Sequence, residues 1–122
     1  MKKVAEIKII DEVESVSDWK SKVMDQKIPV ILDIYADWCN PCRKVTPLLA
    51  AKTLAHGGKF RMVKLNIDNC PQLASGLNVK QIPTLFVIYK GSVVDSYTGF
   101  DSQKIEELVQ TALLVDQAAN DE

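Results

Sequence analysis

The chain has 122 residues, of which 47% are hydrophobic and 25% charged, and its formal net charge is −1. These values predict a single domain that is large enough for a hydrophobic core. The balanced charge has no basic stripe and disfavours a nucleic acid partner. No apolar run reaches the ~20 residues that a membrane-spanning helix needs. No apolar stretch of the kind that secretory signals carry is visible at the start of the sequence.

Hydrophobic periodicity predicts four elements in the first half of the chain. They are an edge strand at 7–10, a helix at 14–25, a strand at 30–36 and a helix at 40–56. The strand at 30–36 is apolar at both parities apart from Asp33, which indicates a central strand covered by helices on both faces. The pair Gly57–Gly58 is expected to end the second helix.

The second half is expected to contain a strand at 60–67, a short helix at 71–76 that Asp68 and Asn69 cap, a hairpin and a last helix. The hairpin strands are 84–89 and 93–98, and the last helix is 102–115. This order predicts parallel strands with right-handed crossovers, made into a mixed sheet by the hairpin. We expect one domain over 1–116 and a frayed tail over 117–122.

Cys39 and Cys42 form a C-x-x-C motif between the apolar strand and the following helix. A strand that leads into C-x-x-C at a helix start is typical of a thiol–disulfide redox site. Free backbone N–H groups and the helix dipole are expected to lower the pKa of the first thiol. Three cysteines are too few for a disulfide-stapled secreted scaffold, and a reducing compartment fits them best. The sequence therefore predicts a dithiol oxidoreductase.

Beyond this motif, the chain resembles the thioredoxin family over about residues 7–115. The resemblance is carried by LDIYADWCNPCRK at 32–44, Pro47, VKLNID at 63–68, QIPT at 81–84, Lys90–Gly91 and Gly99. These segments occur in the family's order, which is more specific than C-x-x-C alone. The resemblance implies an α/β thioredoxin fold, with a central mixed five-stranded sheet flanked by four helices. Asn40–Pro41 replaces the usual Gly-Pro between the cysteines, where residues influence the redox potential.

The resemblance also implies catalytic roles. Cys39 is the exposed nucleophile that attacks a substrate disulfide, and Cys42 is the buried thiol that resolves the mixed disulfide. Asp33 sits in a strand predicted to be buried, so its pKa should be raised. By resemblance, Asp33 helps to deprotonate Cys42. Lys64 tunes Asp33, although an ordinary surface lysine is an equal alternative.

A substrate-binding surface is implied in the same way. Its residues are Trp38, Asn40, Pro41, Ile82, Pro83 and Gly99. The family carries a cis proline at the position of Pro83, whereas the sequence alone indicates only a proline before a strand. Core packing is the alternative for Trp38, and a plain strand-end turn is the alternative for Gly99.

The implied function is that of a protein disulfide reductase in cell redox homeostasis, cycling Cys39 and Cys42 between dithiol and disulfide. Its partners would be disulfide-containing proteins and thioredoxin reductase, which supplies electrons from NADPH. No G-x-G-x-x-G pattern is present, so no bound cofactor is expected, and no metal. We expect a cytoplasmic monomer, or a protein of an organelle matrix such as the mitochondrial one after loss of a targeting peptide.

Two other interpretations stay open at this point. The first is a thioredoxin-like binding or redox-linked chaperone module, or a subunit of a larger assembly. The second is a zinc module in which Cys70 and His56 complete a site with Cys39 and Cys42. Outside such a site, Cys70 is a bystander thiol or a target of regulatory oxidation.

Overall fold

The computed structural model describes residues 10–120, and within them five strands form one sheet with helices on both faces. The strands are β1 (Ile10–Glu12), β2 (Val30–Tyr35), β3 (Arg61–Asn66), β4 (Thr84–Tyr89) and β5 (Ser92–Thr98). Helix α1 starts with an α-helical turn, Val16–Asp18, and continues as a π-helical segment, Trp19–Met24. The other helices are α2 (Cys42–Ala55), α3 (Pro71–Gly76) and α4 (Ser102–Asn120). The predicted α/β architecture is confirmed.

Strand β2 lies in the middle of the sheet, whose order is β1-β3-β2-β4-β5. Strands β1 and β2 run parallel to β3, whereas β4 is antiparallel to both β2 and β5. All six residues of β2 are buried, which confirms the prediction from its two-sided apolar pattern. The register places Asp33 opposite Lys64 of β3 and Leu85 of β4.

Two hydrophobic cores lie on opposite faces of the sheet. Ile31 of β2 packs in the core that contains Leu49 of α2 and Ile105 of α4. Leu32 belongs to the other core, on the side of α1 and α3. Because side chains alternate along a strand, Asp33 shares the face of Ile31 and is directed toward α2. The fold thereby places a carboxyl group under the helix that carries Cys42.

Some boundaries differ from the predictions. Helix α2 begins at Cys42, because Asn40 and Pro41 form the turn that precedes it. Helix α4 continues to Asn120, so the predicted end at 115 is wrong and 117–120 are helical rather than a tail. The hydroxyl of Tyr89 donates to Oδ1 of Asp116 at 3.0 Å and ties the end of this helix to β4. Residues 7–9 of the predicted edge strand, and 121–122, lie outside the described residues.

None of the helices in the described part of the chain combines the length and hydrophobicity that crossing a bilayer requires.

Candidate active site

Cys39 and Cys42 are joined by a disulfide at the N-terminal end of α2, with their Cα atoms 5.3 Å apart. Cys39 lies in the loop after β2, whereas Cys42 is the first residue of α2. The backbone N–H of Cys42 donates to Sγ of Cys39 at 3.2 Å. This donor belongs to the first turn of a helix, whose free N–H groups stabilise negative charge. The local geometry therefore favours a thiolate at Cys39.

Cys39 is less accessible than the resemblance implies. In the disulfide form Cys39 is only 5% exposed, so the expectation of an exposed nucleophile is wrong for this state. Its buried cluster contains Tyr35, Ala36 and Cys42, with Ile67 and Ile82 packed against it. Little of the nucleophilic residue is therefore open to a substrate in the disulfide state.

Asp33 is completely buried beside α2. Its Oδ2 accepts a hydrogen bond from Oγ1 of Thr46 at 2.8 Å, and its Oδ1 has no hydrogen-bond partner among the described residues. Burial raises the pKa of Asp33 to about 6, against the opposing effects of the Thr46 hydroxyl and the Lys64 charge. The predicted rise in pKa is confirmed. A carboxyl group that titrates near neutral pH is suited to accepting and releasing a proton.

Lys64 lies next to Asp33 in the sheet, but its ammonium group packs on an aromatic ring. The Nζ atom is 4.2 Å from the centre of the Tyr35 ring, within the range of a cation–π contact. The Tyr35 hydroxyl donates to Oε2 of Glu12 at 2.6 Å, and burial together with this carboxylate raises the pKa of Tyr35. Lys64 therefore favours the ionised form of Asp33 through its charge while its position is fixed by Tyr35.

Trp38 is 65% exposed, so the alternative of core packing is wrong. Its Nε1 donates to Oδ2 of Asp68 at 3.0 Å. Asp68 and Asn69 were expected to cap α3, but the residue at that cap is Cys70, without a side-chain hydrogen bond. Sequence analysis thus missed Asp68 as a site residue. Its position after β3, at the sheet end where Trp38 follows β2, is the signal that indicates it.

A groove of about 650 Å³ runs beside Trp38, between α3 and the loop that leads into β4. Ile67 and Ile82 line this groove and also pack against the cluster of Cys39. The groove therefore borders the side chains that pack against the cluster of Cys39. Its surface is part apolar and part polar, with Lys80 and Gln81 among the polar groups.

Pro83 and Gly99 are held together at the same end of the sheet. The Ile82–Pro83 peptide bond is cis. The N–H of Gly99 donates to the carbonyl of Pro83 at 2.8 Å, and Gly99 has a φ of +113°. A φ of this kind strongly favours glycine, because a Cβ atom would be strained there. Gly99 is thus fixed to the proline loop.

Asn40 and Pro41 are exposed in the turn between the two cysteines. Pro41 is the N-cap residue of α2, and its carbonyl accepts from the N–H groups of Lys44 and Val45. Oδ1 of Asn40 accepts from Nη1 of Arg43 at 3.5 Å, and Nη2 of Arg43 donates to the Asp37 carbonyl at 2.8 Å. Arg43, which sequence analysis did not single out, therefore braces the turn between the cysteines.

The residues required by the zinc alternative have other neighbours. Cys70 is buried, and its Sγ lies 3.5 Å from the carbonyl of Val13. His56 lies at the C-terminal end of α2, where its ring packs beside Phe60. Within residues 10–120, no three His, Cys, Asp or Glu side chains are grouped as ligands for a metal ion.

A C-x-x-C disulfide at a helix N-terminus, with a buried carboxyl group behind it, defines a thiol–disulfide oxidoreductase. The thioredoxin family model matches residues 11–112, and the chain belongs to this family. It is 40% identical over 83 residues to thioredoxin 1 of a Nostoc species, covering 68% of this chain and 78% of that protein. It is 43% identical over 81 residues to a thioredoxin of Streptomyces clavuligerus, covering 66% and 75%.

Among solved structures, the thioredoxin Mala s 13 of Malassezia sympodialis superposes with a TM-score of 0.78. The match covers 85% of this chain and 90% of that one at 23% sequence identity, and it supports the fold. Family membership and the Cys39–Cys42 disulfide together identify the activity as thioredoxin-type protein disulfide reduction. Thioredoxins carry out this reaction without an external cofactor, using the redox-active disulfide of the chain itself.

Proposed function

We propose that this protein reduces disulfides of other proteins with electrons that thioredoxin reductase draws from NADPH. The observation that carries the proposal is the Cys39–Cys42 disulfide at the start of α2, backed by the buried Asp33. Each turnover converts the Cys39–Cys42 dithiol to this disulfide and delivers two electrons to the substrate. The reductase then restores the dithiol.

In the first step, the Cys39 thiolate attacks one sulfur of the substrate disulfide. A bond forms between Cys39 Sγ and that sulfur, the substrate S–S bond breaks, and the other substrate sulfur leaves as a thiolate. The hydrogen bond from the Cys42 N–H supports this role, since it stabilises negative charge on the Cys39 sulfur.

In the second step, the Cys42 thiol resolves the mixed disulfide. Asp33 takes the proton of Cys42, and the resulting thiolate attacks Cys39 Sγ. The Cys39–Cys42 bond forms and the second substrate sulfur leaves as a thiolate. The pKa of Asp33, about 6, supports its role as the base, because most of the carboxyl group is ionised at pH 7. Lys64 tunes this residue through its charge.

We assign substrate binding to the surface around the disulfide, formed by Trp38, Asn40, Pro41, Ile82, Pro83 and Gly99. The groove beside Trp38 reaches Ile82 and supports the assignment, since it offers an extended segment a path to Cys39. The exposed ring of Trp38 is oriented by its hydrogen bond to Asp68 and forms one wall of this groove. We expect contacts with the polypeptide around the substrate disulfide.

We further propose that the protein acts as a monomer in the cytoplasm, with an organelle matrix as the alternative. A reducing compartment suits a dithiol reductase, and it suits a chain whose third cysteine, Cys70, is a free thiol. Cell fractionation with an antibody to the protein tests this location, and the protein's presence in an oxidising compartment would contradict it.

The proposed reaction is tested by NADPH consumption with thioredoxin reductase and insulin. We expect turnover in the wild type and in Cys70→Ser, which serves as the matched control for loss of a thiol. Cys39→Ser should abolish turnover, and Cys42→Ser should accumulate mixed disulfides that are visible on non-reducing gels. No turnover in a folded, fully reduced wild-type protein would contradict the proposal and favour a binding or chaperone module.

A further inference from the structure

Thr46 uses its hydroxyl differently from another threonine of the same helix. Oγ1 of Thr53 donates to the carbonyl of Leu49 at 2.8 Å, the usual bond of a helical threonine to the preceding turn. Oγ1 of Thr46 donates instead to Oδ2 of Asp33, across to β2. A hydroxyl has one proton to donate, so this proton is committed to the buried carboxylate.

Thr46 also lies on the face of α2 that carries the resolving cysteine. Cys42 and Thr46 are four residues apart, a spacing that places two side chains one above the other on a helix. Both line a cavity of about 300 Å³ whose wall also contains Lys64 and Pro47. The hydrogen bond from Thr46 therefore joins Asp33 to the face of α2 that also carries Cys42.

We propose that Thr46 is a positioning residue for the resolving step: its hydroxyl holds Oδ2 of Asp33 and leaves Oδ1 free to take the Cys42 proton. This inference rests on the proposed role of Asp33 as the base. Oδ1 is the buried oxygen that has no hydrogen-bond partner among the described residues. With Oδ2 bound, the carboxylate cannot rotate away without breaking a hydrogen bond to a charged acceptor.

Thr46 is the neutral hydrogen-bond donor to Asp33, and the charged groups that act on this carboxyl group lie on β1 and β3. Lys64 on β3 favours the ionised form, and Glu12 on β1 disfavours it. On β4 the residue opposite Asp33 is the apolar Leu85. On α2, the resolving cysteine Cys42 is bound in the disulfide in this state and does not titrate. Of these neighbours, the Thr46 hydroxyl counteracts burial most, so its removal should favour the protonated carboxyl.

The proton balance of the step is simple. Asp33 Oδ1 gains the Cys42 proton, Cys42 Sγ then bonds to Cys39 Sγ, and the bond between Cys39 and the substrate breaks. The electron pair leaves on the substrate sulfur, and Asp33 later returns its proton to solvent. Thr46 changes neither the electrons nor the proton count, which is why its contribution should be a shift in pH dependence rather than a lost activity.

The test compares Thr46→Val and Thr46→Ala, which lack the hydroxyl, with Thr46→Ser, which keeps it, and with Thr53→Val as the matched control. The first readout is the ¹³Cγ titration of Asp33 in the disulfide form, which requires no activity. The second is single-turnover insulin reduction by the reduced protein from about pH 5 to 9. We expect both hydroxyl-free variants to raise the pKa of Asp33 by about one unit. The acidic limb of the rate profile should shift to higher pH by the same amount.

Thr46→Ser should restore both readouts, and Thr53→Val should leave them at the wild-type values. An unchanged Asp33 titration in both hydroxyl-free variants, or an equal shift in Thr46→Ser, would overturn the inference. Asp33→Asn separates this failure from that of the proposed function. If Asp33→Asn keeps the wild-type pH profile, Asp33 is not the base and the proposed step fails. If it loses the acidic limb while the Thr46 variants do not move it, only the role of Thr46 fails.

Discussion

Asp33 carries a cost to folding that arises from the same burial that suits it to proton transfer. Its side chain is inaccessible to solvent, and one of its two oxygens has no partner among the described residues. Burial disfavours the charged carboxylate, and a single hydroxyl donor compensates only in part. A purely structural residue at this site would be apolar, like its neighbours Leu32 and Ile34.

The pH dependence of stability follows from this raised pKa. The folded value of about 6 lies above the ordinary value of 3.8, so over this interval the folded state keeps a proton that the unfolded chain has lost. The contribution of Asp33 to the free energy of unfolding therefore falls as the pH rises from about 4 to about 6. We expect Asp33→Asn to stabilise the disulfide form at pH 7 by roughly 2 kcal/mol relative to its effect near pH 4.

Urea unfolding of wild type and Asp33→Asn at several pH values measures this difference. The exposed Asp37 provides the matched control, since Asp37→Asn removes the same charge from a solvated position. A difference between wild type and Asp33→Asn that stays constant between pH 4 and pH 7 would show that Asp33 titrates normally in the folded protein.

At the scale of elements, the sheet topology explains why loops distant in sequence meet at one site. Strand β4 is antiparallel to β2 and β5, so the last residues of β2, the first of β4 and the last of β5 lie at the same end of the sheet. The register shows this directly, because Thr84 pairs with Ile34 on one side and with Thr98 on the other. Strand β3 is parallel to β2 and delivers Asp68 to the same end.

A substitution at Gly99 tests whether the loop that follows β5 takes part in substrate binding. We expect Gly99→Ala to raise the KM for a protein substrate several-fold, because the strained backbone would disturb the hydrogen bond to Pro83. Gly58→Ala is the matched control, since Gly58 also has a positive φ but lies after α2, away from the disulfide. Both substitutions should lower the free energy of unfolding by about 1 kcal/mol. An equal KM in the two variants would contradict a binding role for Gly99.

Elements with strong local signals were predictable from the sequence, and features that depend on distant contacts were not. The apolar run of β2, the hairpin around Lys90–Gly91 and the proline at the start of α3 each specify their structure over a few residues. The end of α4 depends partly on a contact between Asp116 and a strand 27 residues earlier. The partner of Trp38 and the Asp33–Thr46 hydrogen bond likewise require the folded sheet, and periodicity along the chain does not encode them.

At the scale of the whole molecule, Cys39 and Cys70 occupy environments of opposite electrostatic sign. Cys39 and Cys70 are similarly buried, at 5% and 8% exposed. The sulfur of Cys39 receives a backbone N–H at a helix start, whereas the sulfur of Cys70 faces the carbonyl of Val13. Burial, followed by the negative charges of nearby acidic residues, raises the pKa of the Cys70 thiol. The fold therefore confines thiolate chemistry to the N-terminal end of α2.

This contrast predicts the order in which the thiols of the reduced protein react. Because the thiolate is the reactive form, iodoacetamide at neutral pH should modify Cys39 at least tenfold faster than Cys70. Mass spectrometry of peptides after timed quenching measures both rates, and a sample in urea is the control in which the difference should largely disappear. Equal rates in the folded protein would mean that accessibility, which is similar at the two sites, governs reactivity. A slow Cys70 would instead establish that local charge and hydrogen bonding select the nucleophile.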